Sequence, residues 1–122
     1  AVGCALVAGT DTLKRLGPFD EQIFMYGEDL ELGLRAPTVF SPSARVVHAR
    51  AQSSAREFGG EPFQLLARAR HDVVERRLGA RRARVDDALQ AITFGSRIAV
   101  KSALGGDPSR EREQLRALRA LR

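Results

Sequence analysis

Three carboxylates, Glu28, Asp29 and Glu31, follow directly behind Gly27. Like charges this close repel and raise one another's pKa unless a cation, a helix N-terminus or a hydroxyl partner answers them. Two arrangements tolerate such a cluster. In one, the acids solvate the first turn of a helix, where the peptide dipoles favour negative charge. In the other, one acid accepts a proton from an alcohol held beside it at a pocket edge. Asp29 is short and stiffly held, as a base must be. Glu28 beside it suits a donor-binding or polarising role. The residues in front, Phe19, Ile23, Phe24 and Tyr26, are bulky and favour burial. Gly27 lets the backbone turn sharply or approach a neighbour closely.

The two histidines are the next candidates. His48 stands near the end of an apolar stretch, where loops begin and sites are often built. It reads equally as a surface residue, a packed and hydrogen-bonded one, or a ligand for metal or phosphate; one histidine without a second ligand makes no metal site. His71 lies between Arg70 and Asp72 on an amphipathic stretch and reads as a helix-surface residue. Cys4 could be paired with either histidine on paper, but it sits in an apolar strand, where a thiol is usually inert. A glycine-rich phosphate loop with a lysine, a cysteine pair for zinc and a G-x-S-x-G elbow are all missing from the sequence.

The elements that must position these residues follow in order. Val2 to Val7 reads as a covered strand. Thr10 or Asp11 caps a short helix to Leu16, stopped by Gly17-Pro18. A helix starts at Glu28 or Asp29 and ends before Pro37. Thr38–Phe40 and Ala44–Ala49 read as two strands about a Ser41-Pro42-Ser43 turn. The stretch from Arg50 to Gly60 is polar and reads as a loop. Three helices then follow. The first runs from Phe63 and closes at Gly79. The second carries a stripe through Val85, Ala88, Leu89, Ile92, Ser96, Ala99, Val100, Ala103 and Leu104, with Gly95 inside it as a place for a kink or close packing. The third is opened by Asp107-Pro108.

The chain has 122 residues, enough for a modest core, and is 43% hydrophobic and 29% charged. No apolar run approaches a membrane span, and a single cysteine permits no internal disulfide. The net charge of +5 is unevenly spread. Residues 1–55 hold five Lys/Arg against six Asp/Glu, and residues 56–122 hold fifteen against nine. The basic part, with Arg68, Arg70, Arg76, Arg77, Arg81, Arg82 and Arg84, reads either as solvated helix faces or as a surface for lipid headgroups, a phosphate-bearing ligand or nucleic acid. Nucleic acid is the weakest of these, because the few aromatic residues do not interleave with the arginines.

Several separate pieces, in order, carry a likeness to a known family. Gly17-Pro18-Phe19-Asp20-Glu21, Phe24-Met25-Tyr26-Gly27-Glu28-Asp29-Leu30-Glu31-Leu32, Leu34-Arg35 and Pro42-Ser43-Ala44-Arg45-Val46-Val47-His48 together resemble the C-terminal half of family 2 glycosyltransferases of the GT-A fold, nearest the bacterial rhamnosyltransferase-like group. The resemblance covers about residues 3–54. It implies an α/β fold, with residues 1–55 forming the acceptor side of a partial GT-A domain and residues 56–122 a basic helical extension. It implies that Asp29 is the general base of an inverting sugar transfer and that Glu28 helps place the acceptor. His48 would lie near a divalent metal, Mg2+ or Mn2+, and the diphosphate leaving group, while Arg35 would brace the helix. The implied partners are a nucleotide-sugar donor and a glycan or lipid-linked acceptor, at the inner face of the cell membrane. The Arg35-Ala36-Pro37-Thr38 connection is shorter than the family's usual one. The nucleotide-binding half, with its Asp-x-Asp metal motif, is expected ahead of Ala1. The chain alone is therefore expected neither to hold the metal nor to transfer sugar.

Overall fold

A computed structural model describes residues 6–17, 19–23, 25–47 and 60–121. The chain divides into two compact units, Ala1–Glu61 and Pro62–Arg122. Among the described residues every regular element is a helix: α1 (Thr10–Leu16), α2 (Glu28–Arg35), α3 (Phe63–Leu78), α4 (Ala80–Ala103) and α5 (Ser109–Arg119).

This overturns the α/β expectation. The described chain is helical and is not a GT-A domain. Residues 38–40 and 44–47 run without regular structure, with Val39 95% and Val47 100% exposed. Their β-branched and aromatic side chains suit a strand, but a strand exists only when a neighbour takes up its backbone N–H and C=O groups. Among the described residues none does. Of the expected first strand, residues 2–5 lie outside the described residues, and Leu6 and Val7 are exposed coil.

In the first unit, Gly17 ends α1 with φ 77° and donates its N–H to the Leu13 carbonyl. Asp20 then makes a tight turn: its Oδ1 accepts the Gln22 N–H at 3.0 Å and its carbonyl accepts the Ile23 N–H. Among the described residues of this unit the one buried side chain is an acid, Glu31.

In the second unit α3, α4 and α5 pack against one another in all three pairings. Gly79, with φ 91°, turns α3 into α4 with no further linker. Val73 and Val74 of α3, Ala83 of α4, and Ala117 and Leu118 of α5 form the core. α5 starts one residue later than the expected Asp107-Pro108 opening, with Pro108 at the N-cap, and Asp107 just before it accepts both the N–H and the hydroxyl of Ser109. The expected close packing at Gly95 is not found: α4 continues unbroken through it, and a methyl group there would meet nothing within 4 Å. Much of the apolar stripe of α4 does not face the core. Leu89 and Ile92 are 58% and 66% exposed, and α4 packs through Ala83, Asp87 and half-buried Phe94 and Ile98.

The hairpin about Gly79 is clamped by charge. Arg70 grips Asp86 with two bonds, Nε to Oδ2 and Nη2 to Oδ1, both 2.7 Å, and Gln90 donates to the same carboxylate. The bond from Arg70, opposed in part by burial, holds the Asp86 pKa below its ordinary value. A carboxyl depressed in the fold stabilises it above the unfolded pKa and ceases to do so as pH falls through the folded value. Asp86→Asn should therefore cost about 1 kcal/mol at neutral pH, the scale of a half-exposed pair, with the gap to the parent closing as the pH is brought below the ordinary carboxylate range. Urea unfolding followed by circular dichroism at both pH values measures it.

Candidate functional site

The three acids that crowd together in the sequence end in three different settings. Helix α2 begins at Glu28 after two residues in left-handed backbone, Tyr26 (φ 63°) and Gly27 (φ 94°). For Gly27 that conformation is cheap; for tyrosine it costs about 1–2 kcal/mol and marks a local strain. Glu28 is exposed and Asp29 half-buried. One Asp29 oxygen, Oδ1, accepts the Leu30 N–H at 2.8 Å. Both acids lie in the first turn, where the helix dipole favours negative charge.

Glu31 is drawn away from them. It is 1% exposed and pairs with Arg35 one turn on, Oε1 to Nε at 2.6 Å. The other arm of Arg35, through Nη1, donates to the carbonyl of Leu16, the last residue of α1. A carbonyl left open at a helix end is thus answered by a guanidinium. Arg35 therefore braces α1 against α2 while neutralising Glu31. One cation that answers the cluster is therefore Arg35, one helical turn on from Glu31. Glu28 and Asp29 remain at the helix start, where a hydroxyl group could approach. A carboxylate so placed can accept a proton or orient a donor.

His48, expected near a divalent metal and the diphosphate, lies outside the described residues, as does Cys4. Among the described residues no group of three or more His, Cys, Asp or Glu gathers in a way that could hold a metal ion. The described residues thus do not place the expected Mg2+ or Mn2+.

One contact was invisible in the sequence. His71, read there as a helix-surface residue, meets Asp87 across the hairpin, Nδ1 to Oδ2 at 2.8 Å, with Asp87 buried. His71 and Asp87 are equidistant from Gly79. The signal was the glycine: two amphipathic stretches folding back about it bring Arg70 and His71 to Asp86 and Asp87. This pair belongs to the helical unit and serves the hairpin.

Comparison with known proteins gives a partial match. The chain is 38% identical over 60 residues to N-acetylglucosaminyl-diphospho-decaprenol L-rhamnosyltransferase of Mycobacterium tuberculosis, in strains CDC 1551 / Oshkosh and ATCC 25618 / H37Rv alike. That stretch is 45% of this chain and 20% of each relative, so the chain spans about a fifth of the proteins it matches. No family model and no solved structure matches. The likeness is to a glycosyltransferase at that coarse level. No helix among the described residues is long and apolar enough to cross a membrane.

Gly27→Ala tests the local geometry. A side chain at φ 94° costs about 1–2 kcal/mol, so the α2 amides should exchange with deuterium roughly tenfold faster or more. Unchanged protection would show that the left-handed turn does not set the start of α2.

Proposed function

We propose that this chain carries the acceptor side and the catalytic base of an inverting, rhamnosyltransferase-like glycosyltransferase of family 2. What carries the reading is the 60-residue likeness to an L-rhamnosyltransferase, taken together with Asp29 at the strained start of α2. In this reading Asp29 accepts the proton of an acceptor hydroxyl. The oxygen so released attacks the anomeric carbon of a nucleotide-diphosphate sugar from the face opposite the leaving group. The new C–O bond forms as the bond to the diphosphate breaks, and the diphosphate leaves with the electron pair. Glu28, exposed beside Asp29, hydrogen-bonds the acceptor and fixes its approach. His48 is assigned a place near the diphosphate, where a divalent cation would neutralise the leaving charge. Glu31 takes no part, because Arg35 holds it.

The relatives' name specifies a lipid-linked acceptor and a rhamnosyl group. By extension the substrates here are a nucleotide-activated deoxyhexose and a glycan or polyprenyl-diphosphate-linked sugar used in building the bacterial surface. Such an acceptor places the reaction at the cytoplasmic face of the membrane.

A segment exchange tests the assignment. The 60-residue stretch of this chain replaces its counterpart in the mycobacterial relative, and rhamnosyl transfer is assayed. The chimera should be active. Asp29→Asn in it should lower turnover by roughly 10²–10⁴-fold with little change in donor affinity. Glu28→Gln should act mainly on the acceptor KM. An inactive chimera, or full turnover in Asp29→Asn, contradicts the proposal.

A further inference from the structure

Helix α4 is apolar on two opposite sides. One side packs on α3 and α5. The other carries Val85, Leu89, Ile92 and Val100, each more than half exposed. Val85, Leu89, Ile92, Ser96, Ala99 and Ala103 are spaced alternately four and three residues apart, so they form a single row along the helix. Arg97 is the one charge between Asp87 and Lys101, and the helical period sets it beside the row rather than in it. A surface helix normally turns charge to water on the side away from its core. This one turns valine, leucine and isoleucine.

The charges around the row indicate what covers it. Arg81, Arg82 and Arg84 are exposed on the opening turns of α4. Residues 62–122 hold fourteen Lys/Arg against seven Asp/Glu. Two of those acids near the row are already engaged: Asp86 by Arg70 and Asp87 by His71. A second copy would bring the same excess of positive charge against itself, with no acid along the row to answer it. An anionic lipid surface answers both features. Its headgroup phosphates pair with arginine, and its acyl boundary accepts the apolar row. No described helix can cross a bilayer, so α4 lies on the surface rather than spanning it.

We infer that the exposed face of α4 docks flat on an anionic lipid surface, with Leu89 and Ile92 entering the headgroup–acyl boundary and Arg81, Arg82 and Arg84 on the phosphates. The inference stands on the helical unit alone and does not depend on the chemistry assigned to Asp29. Arg70, bound to Asp86, is not part of this surface.

The test uses the full chain and sedimentation with vesicles, either phosphatidylcholine alone or phosphatidylcholine mixed with phosphatidylglycerol. Binding should need the anionic lipid and weaken as salt is raised. Leu89→Gln/Ile92→Gln, both at exposed positions, should keep the helical circular dichroism spectrum and lose about tenfold or more in vesicle affinity. Arg81→Gln/Arg82→Gln should weaken binding and flatten its salt dependence. Without lipid the chain should sediment as a monomer. Failure to bind phosphatidylglycerol vesicles would overturn the inference. So would undiminished binding by the Leu89/Ile92 variant, or a solution dimer that those two substitutions dissolve.

Discussion

The first unit hangs on one buried ion pair. Among its described residues nothing apolar is buried, and Glu31 is. A carboxylate taken out of water is tolerated only with a partner of opposite charge close by. Arg35 supplies it at 2.6 Å and ties the same guanidinium to the end of α1 through the Leu16 carbonyl. The pair thus does two jobs. It joins two short helices, neither long enough to be stable alone, and it sorts the acids of the α2 start. Arg35 is paired with Glu31, while Glu28 and Asp29 stand in the first turn of α2.

The second unit solves a different problem. Its core is small, made of valines, alanines and one leucine. Charge adds what the core lacks. Arg70 on Asp86 and His71 on Asp87 clamp α3 to α4, and Lys101 on Glu111 joins α4 to α5 at 2.8 Å. With Glu111 only 6% exposed, its partner lysine is as necessary to it as Arg35 is to Glu31. The packing side of α4 is filled by Ala83, Asp87, Phe94 and Ile98, and Val85, Leu89, Ile92 and Val100 are left to face outward. That outward face makes the helix a surface for something other than its own bundle.

The sequence located helices more surely than it located faces or sheets. The C-terminal ends of α1, α2 and α3 followed from Gly17, Pro37 and Gly79, because a glycine with positive φ or a proline ends a helix whatever surrounds it, whereas α1 starts at Thr10 after Gly9 and not behind a Thr10 or Asp11 cap. The start of α5 was legible to within one residue from Asp107-Pro108. Strands at residues 38–40 and 44–49 were not decidable locally, since a strand is half of a pair and its partner lies elsewhere in the chain or nowhere. The facing of α4 was not legible, because both its sides are apolar and periodicity alone cannot say which one meets a core. At the candidate site the acids were legible, but their division was not. Glu31 reads like its neighbours until Arg35 and the Leu16 carbonyl are placed around it. The position of His48 relative to Asp29 lies outside the described residues.

The Glu31–Arg35 pair is one unit whose halves cannot be removed separately. Tyr26 is the single tyrosine of a chain without tryptophan, so its fluorescence during urea unfolding reports on the first unit alone. Arg35→Met leaves a buried charge unanswered and should cost about 3–5 kcal/mol. Adding Glu31→Gln to it should recover most of that loss, giving a coupling of about 2 kcal/mol or more. If the two substitutions are simply additive, the pair does not hold the unit together and the sorting of the acids has another cause.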